Sequence, residues 1–112
     1  MKKSRKRLYE GMYILSSTLS EEARKKALLK IQDGITQKKG EVNKIHDMGK
    51  QKFAYEIGGK KEGFYYLLYF TIESLQIIEL VKDYKLNEDL LRFMTMQTKE
   101  VKETLEFKKL KN

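Results

Sequence analysis

The chain has 112 residues and a formal net charge of +8, with 36% charged and 40% hydrophobic side chains. This length predicts one domain, which is large enough to bury roughly 60–70% of the surface of its unfolded chain. The sequence contains no cysteine, which excludes a disulfide framework and thiolate metal sites and fits a reducing compartment. No apolar stretch reaches the ~20 residues of a membrane span, and no apolar segment follows the basic start. We therefore predict neither a secretion signal nor a membrane association.

The positive charge is concentrated at the two ends of the chain. Residues 1–7 carry five basic side chains and no acidic one, and residues 99–112 carry five lysines and three glutamates. Residues 8–98 hold 14 basic and 13 acidic side chains and are nearly neutral. A basic chain suggests a polyanionic partner such as nucleic acid, which would here contact local clusters and tails. We predict a basic N-terminal extension (1–7), one domain (8–98) and a charged C-terminal tail (99–112).

The predicted domain begins with a strand and an amphipathic helix. Residues 8–16 are apolar on both alternating faces, which predicts a central strand. Thr18 and Glu21 have the spacing of a capping box, and Lys39-Gly40 supplies a C-terminal stop. Between them, apolar residues at spacings of three and four form one stripe of a helix: Ala23, Ala27, Leu28, Ile31 and Ile35.

Two more strands follow, joined by a tight turn. Residues 41–57 alternate between apolar and polar, with Gly49 suggesting a bulge or bend. The glycines and lysines of residues 58–61 predict a hairpin turn into residues 64–70, an aromatic and aliphatic run typical of a strand buried on both faces. If helices cover one face of this strand, the other face needs a cover of its own, which points to a partner.

The remaining elements are a short helix and a last strand. The helix is predicted from about Ser74 to Tyr84, with Leu75, Ile78 and Val81 facing inward. The strand covers residues 90–98, and the tail after it has no clear apolar stripe, so we expect the tail to be mobile until bound.

This order of elements predicts a fold. Two β-α-β units in tandem form the ferredoxin-like split β-α-β fold, an α+β architecture. Right-handed crossovers place both helices on one face of a four-stranded antiparallel sheet. Residues 8–16 and 64–72 are then the central pair of strands.

No pattern in the sequence indicates catalysis. His46 is the only histidine, and one histidine without cysteine is too few ligands for a typical zinc site. The glycine-lysine turn at residues 58–61 lacks the spacing of a phosphate-binding loop and joins two strands. Small phosphatases share the fold but use a glycine-rich anion cradle, which residues 16–19 do not provide. We predict that the protein is not an enzyme and takes no cofactor and no small-molecule substrate.

An RNA-recognition octet is the alternative interpretation of the aromatic strand. Residues 62–69 fit six of the eight positions of the motif found on the third strand of this fold. Glu62 stands where a base is expected, and bulky Tyr65 stands where a small residue is expected. On this interpretation Phe64 and Tyr66 would stack on bases, and the protein would be a free single-strand RNA-binding module.

Several segments together resemble a known family. In order and at matching spacing, residues 7–98 are similar to the bacterial small-subunit ribosomal protein S6 family. The similar segments are residues 9–15, 19–22, 40–42, 46–57, 62–65 and 86–94. The fold of that family is the ferredoxin-like fold predicted above.

The resemblance implies a structural constituent of the small ribosomal subunit in the cytoplasm. Such a protein binds the central domain of 16S rRNA together with ribosomal protein S18, as a heterodimer. A partner that supplies basic surface would account for the nearly neutral body of this chain.

The family's Gly-x-Arg-Arg-x-Ala-Tyr-Pro-Ile stretch corresponds here to residues 49–57. Gln51 and Lys52 replace the arginine pair, and lysine cannot form a bidentate fork with phosphate. Glu56 replaces proline and restores an N–H donor to the strand. Arg92 matches a family arginine and is either a phosphate contact or half of an ion pair. The predicted RNA contacts are Arg5, Lys6, Arg7, Lys50, Lys52 and Arg92, and the predicted partner contacts are Phe53, Tyr55 and Ile57.

Overall fold

The computed structural model describes residues 5–103. Its elements are strand β1 (Lys6–Ser16), helix α1 (Glu21–Gln37), strands β2 (Glu41–Ile57) and β3 (Lys60–Glu73), helix α2 (Ile77–Lys85) and strand β4 (Leu90–Gln97). This is the predicted β-α-β-β-α-β order. β1 begins within the predicted basic extension, whose first four residues lie outside the described part of the chain, as do residues 104–112 of the predicted tail.

The four strands form one antiparallel sheet in the order β2-β3-β1-β4. β1 and β3 pair without interruption from Lys6 opposite Glu73 to Ser16 opposite Gly63. These are the two strands predicted to be central. Both strands carry apolar side chains on both faces of the sheet. In the central positions these side chains have neighbours from the adjacent strands on each face.

Helix α1 is capped at both ends by local hydrogen bonds. At its start the Ala23 N–H donates to the Ser20 Oγ at 3.1 Å, so the N-cap is Ser20 and not Thr18 of the predicted capping box. At its end Gly40 N–H donates to the Ile35 carbonyl, and Lys39 adopts a φ of 63°. The bonds from Gly40 N–H to the Ile35 carbonyl and from Lys39 N–H to the Thr36 carbonyl form a Schellman motif. It ends the helix at the Lys39-Gly40 stop predicted from the sequence.

Helix α2 presents a different face from the one predicted. A 3₁₀ turn over Ser74–Gln76 precedes it, and three residues per turn instead of 3.6 shifts the phase of the side chains that follow. Leu80 and Tyr84 are therefore the buried residues. Of the predicted inward residues, Ile78 is 62% exposed and Leu75 is 53% exposed.

The two helices cover one face of the sheet, and the main core lies between them. The face of the sheet away from the helices is called the open face below. The core unites alternate residues of the two central strands with the stripe of α1 and the buried side of α2. Its largest fully buried side chains on the sheet and α1 are Tyr13, Phe70, Leu15, Ile31, Ile35, Leu68 and Ile72.

Strand β2 is a 17-residue edge strand whose pairing with β3 is irregular. The register shifts three times, after Val42, Asp47 and Lys52. Gly49 lies at the second shift with a φ of 74°, and its N–H donates to the Asp47 carboxylate at 2.9 Å. The bulge predicted from Gly49 is therefore present, because a positive φ at this position favours glycine.

Residues 98–103, called the strap below, leave β4 and cross the open face. The Thr98 N–H donates to the Leu8 carbonyl of β1 at 3.0 Å. At the far side, His46 Nε2 on β2 donates to the Lys102 carbonyl at 2.7 Å. Because β1 and β3 lie between β4 and β2, the strap passes over both central strands. Main-chain hydrogen bonds position the strap, which explains why this part of the predicted tail shows no apolar stripe.

Candidate nucleic-acid and partner interface

The open face carries a second apolar cluster, separate from the main core. Ile14, Leu67 and Tyr69 are buried at 6%, 3% and 1% exposure, yet they do not belong to the core under the helices. Beside them on β4, Met94 is 61% exposed and Met96 is 54% exposed. The open face is thus covered in part by the chain itself and bare in part, as apolar docking surfaces are.

The predicted RNA contacts at the start of the chain lie at one end of the sheet. Arg5, Lys6 and Arg7 are exposed, at the end of β1 that pairs with the last residues of β3. The Arg5 carbonyl accepts a hydrogen bond from the Ser74 N–H at 2.9 Å, so the main chain is fixed here while the basic side chains project outward.

Lys50 and Lys52 lie at the opposite end of the sheet. They pair with Phe64 and Glu62 of β3, about eight residues along the strands from the first basic group, or roughly 26 Å at ~3.3 Å per residue. Lys50 Nζ lies 3.8 Å from the Glu62 carboxylate, and Lys52 is exposed. Lys52 therefore has the freer positive charge of the two.

Arg92 lies at this same end, on the open face. It pairs with Ile14 of β1 and is exposed. Its positive charge acts against the rise in the pKa of the Tyr65 hydroxyl that burial causes. Within residues 5–103 no carboxylate lies in ion-pair distance of Arg92, so the ion pair that was the alternative role of this side chain does not form there.

The predicted partner contacts lie in the arm formed by β2 and β3 beyond the body of the sheet. Tyr55 is 84% exposed, whereas Phe53 and Ile57 are half-buried. The Phe53 ring packs against Tyr65 with ring centroids 6.0 Å apart and covers Gly63. The structure thus gives Phe53 a role within the chain and leaves Tyr55 free to contact another molecule.

The stacking alternative requires Phe64 and Tyr66 on the open face, and the structure places both on the other side of the sheet. Tyr66 is 3% exposed and belongs to the main core. Phe64 packs against the core, with the Arg24 guanidinium 4.1 Å from its ring centroid. The octet matches in residue types, but the pleat places both side chains on the helix side of the sheet, opposite the face that base stacking requires.

Three basic residues near Lys52 were not among the predicted contacts. Lys60 and Lys61 line a concavity of about 670 Å³ beside Lys52 and Tyr55. Arg24 of α1 lies over Phe64, within reach of the same end of the sheet. Residues 58–61 were predicted as a hairpin turn, and the charges of Lys60 and Lys61 were therefore not considered as RNA contacts. Arg24 had no signal, because its neighbour Phe64 is distant in sequence.

Among residues 5–103 no group of three or more metal-ligating side chains is positioned to hold an ion. Burial raises the pKa values of Tyr13 and Tyr84 above the ordinary tyrosine range, and both side chains lie in the core, away from the surface. None of the helices in the described part of the chain is long and apolar enough to cross a membrane.

The fold and this surface define a class: a ferredoxin-like domain that presents basic side chains at both ends of its sheet and an incompletely covered apolar face. Comparison with known proteins agrees with it. Residues 8–97 match the family model described as Ribosomal protein S6. The chain belongs to the ribosomal protein S6 family, a family of proteins of the small ribosomal subunit.

Individual relatives extend the match beyond the family model. The small ribosomal subunit protein bS6 of Chlamydia abortus is 58% identical over 110 residues, covering 98% of both chains. The protein of the same name from Chlamydia pneumoniae is 56% identical, also over 110 residues and 98% of both chains. The crystal structure of 30S ribosomal protein S6 from Thermotoga maritima is similar with a TM-score of 0.80 and 32% identity, covering 84% of this chain and 89% of that one. An alignment over 110 of the 112 residues includes the strap, which the family model leaves out.

Proposed function

We propose that this protein binds the central domain of 16S rRNA together with ribosomal protein S18, as part of the small ribosomal subunit in the cytoplasm. One observation supports this most: a nearly neutral body combines two separate groups of exposed basic side chains with an apolar face that the chain covers only in part. Neither surface is sufficient for tight RNA binding alone, whereas together they suit a protein that docks on RNA beside a second protein.

The RNA contacts we assign are the basic groups at the two ends of the sheet. Arg5, Lys6 and Arg7 form one group, and Lys50, Lys52 and Arg92 form the other. Contacts with phosphates position a protein on RNA without reading its sequence. Two groups about 26 Å apart, at ~3.3 Å per strand residue, would fix the orientation of the sheet along the RNA better than one cluster.

The protein contacts we assign are in the β2-β3 arm, chiefly Tyr55. A tyrosine that is 84% exposed at the tip of an arm offers a large, rigid contact surface at a low entropic cost, which is why tyrosine is enriched at interfaces. Phe53 and Ile57 lie on the same arm and are assigned a supporting role, because they are half-buried.

The test is a titration of the central-domain fragment of 16S rRNA with this protein, alone and with an equimolar amount of S18, at two salt concentrations. We expect weak binding alone and much tighter binding with S18. With six phosphate contacts, the logarithm of the association constant should fall by roughly 4–5 per decade of salt, at ~0.7–0.9 per contact. Equal binding with and without S18 would contradict the joint mechanism and favour independent RNA binding. If RNA is bound neither with nor without S18, this chain shares the fold of the family but not the proposed binding function.

A further inference from the structure

Beyond its anchor at Thr98, the strap is held on the open face by one peptide unit and one carboxylate. The Lys102 carbonyl accepts from His46 Nε2 at 2.7 Å, and the Lys102 main chain also hydrogen bonds the Tyr69 hydroxyl. The His46 and Tyr69 rings contact each other edge to face, with centroids 6.0 Å apart. Together they form a clamp for a single peptide unit of an extended chain.

An ion pair beside the clamp fixes the orientation of the peptide that lies in it. The Glu103 carboxylate lies 3.2 Å from Lys44 Nζ, one residue beyond the clamped peptide. Lys44, His46 and Tyr69 thus provide partners for one main-chain unit and for a carboxylate next to it. In the free protein that peptide is residues 98–103.

The strap is built to release. Its charge pair is at the surface, with side-chain exposures of 37% for Lys44 and 75% for Glu103. Exposed ion pairs contribute little to stability, and holding six residues in one conformation costs conformational entropy. On the open face the buried Leu67 lies in one row with Met12 and the exposed Met94, whereas Glu10 stands between Tyr69 and Met96. When the strap lifts, one larger apolar surface becomes available.

We infer that the strap is an autoinhibitory cover: it occupies the peptide clamp of the open face in the free protein, and an extended segment of the protein partner displaces it on assembly. This inference rests on the proposed function for the identity of that partner as S18. A ligand that binds only the open form has an apparent dissociation constant equal to the intrinsic one divided by the fraction of molecules that are open. The strap would thus hold back association until a partner with the right segment arrives.

The chain offers a way to test this without altering the clamp. Lys102→Pro removes the Lys102 N–H, and Lys102→Ala is the matched control, because it removes the same side-chain charge and keeps the main-chain groups. Proline removes the hydrogen bond between the Lys102 N–H and the Tyr69 hydroxyl and keeps the carbonyl that accepts from His46. We expect a roughly three- to tenfold gain in affinity for S18 in Lys102→Pro relative to Lys102→Ala, measured by calorimetry.

A second variant tests the opposite direction. The chain has no cysteine, so Lys44→Cys combined with Glu103→Cys creates the only two thiols, which a short bis-maleimide cross-linker joins across the closed strap. We expect the cross-linked protein to lose at least tenfold in affinity for S18 compared with the same double variant left unlinked.

Three other results would overturn the inference. If the linked and unlinked forms bind S18 equally, S18 does not compete with the strap, while the joint binding of S18 and RNA stands. If Lys102→Pro and Lys102→Ala bind equally, the clamp does not control access. If the unaltered protein binds neither S18 nor RNA, the proposed function fails and the autoinhibitory role fails with it.

Discussion

The hydroxyl groups of Tyr13 and Tyr84 lie 2.6 Å apart in the core, between the central strand β1 and helix α2. Their rings meet edge to face with centroids 5.1 Å apart. Each hydroxyl is the other's partner in a place that excludes water, so the pair fixes how α2 sits on the sheet. It also explains why the buried side of α2 includes Tyr84, since burial of an unpaired hydroxyl would be unfavourable.

Tyr84→Phe should destabilise the protein more than the double change Tyr13→Phe and Tyr84→Phe. The single change leaves the Tyr13 hydroxyl buried without a partner, at a cost of about 1–3 kcal/mol, whereas the double change removes both groups. Urea denaturation of the unaltered protein, both single variants and the double variant completes the cycle. A double variant that loses the sum of the two single losses would show that the hydroxyls do not interact.

The same pair predicts a loss of stability in alkaline solution. Burial raises the pKa of both hydroxyls in the folded state, so the unfolded chain releases these protons first, near the usual tyrosine value of about 10. The stability of the pair is complete below that pH and falls above it, by up to ~1.4 kcal/mol per pH unit for each tyrosine. Urea denaturation between pH 9 and 11.5 should show the decline. A double Phe variant that declines as steeply would assign the effect to other tyrosines.

Gly63→Ala and Gly34→Ala should change stability in opposite directions. A Cβ at Gly63 would lie 2.8 Å from the Leu15 carbonyl oxygen and 2.8 Å from the Phe53 ring. Because the carbonyl belongs to the neighbouring central strand, we expect a loss of about 1–3 kcal/mol. A Cβ at Gly34 of α1 would meet only Leu80 Cδ1 at 3.6 Å, so alanine should add about 0.5–1 kcal/mol. Thermal denaturation of both variants measures the contrast, and equal shifts would contradict it.

Lys52→Gln should weaken RNA binding and flatten its salt dependence. Loss of one phosphate contact reduces the slope of log K against log salt by roughly 0.7–0.9. Lys82→Gln is the matched control, because Lys82 lies on α2 and pairs with Glu79 at 3.3 Å. Filter binding to the central-domain RNA in the presence of S18 gives both slopes. If the two variants behave alike, the effect is that of net charge and not of a contact.

Tyr55→Ala and Phe53→Ala should separate binding from folding. Tyr55 is 84% exposed, so its loss should change stability by less than about 0.5 kcal/mol while weakening the complex with S18. Phe53 packs on Tyr65 and Gly63, so its loss should destabilise the arm by about 1–3 kcal/mol. Calorimetry with S18 and thermal denaturation are run on both. Unchanged S18 affinity in Tyr55→Ala would remove the arm from the interface.

Sequence reasoning identified the features whose signals are local or repeated. The two central strands were recognised because both of their faces are apolar, and α1 because its stripe and both stop signals agree. The prediction of which side of α2 is buried was wrong, because a 3₁₀ turn before Ile77 shifts the phase of the helix. The type of that turn is set by tertiary packing, which the local sequence does not reveal. The base-stacking interpretation matched residue types, yet the register of β3 decides which of Phe64 and Tyr65 faces the helices.

The contacts that sequence reasoning missed join residues far apart in the chain. Arg24 meets Phe64, and the Lys102 carbonyl meets His46. The second contact involves a main-chain group, which every residue carries and which no residue type reveals. The sequence therefore showed His46 only as a single histidine, too few for a zinc site, and its hydrogen bond forms only because the strap crosses the sheet.

The irregular pairing of β2 also affects how well the outer edge of the sheet could pair with a second copy of the chain. A flat outer strand of 17 residues would offer a long row of unpaired N–H and C=O groups to the same strand of another molecule. Three breaks in register and the positive charges of Lys44, Lys50 and Lys52 make such pairing unfavourable. A chain awaiting its place in a large assembly is thereby kept from polymerising with its own copies.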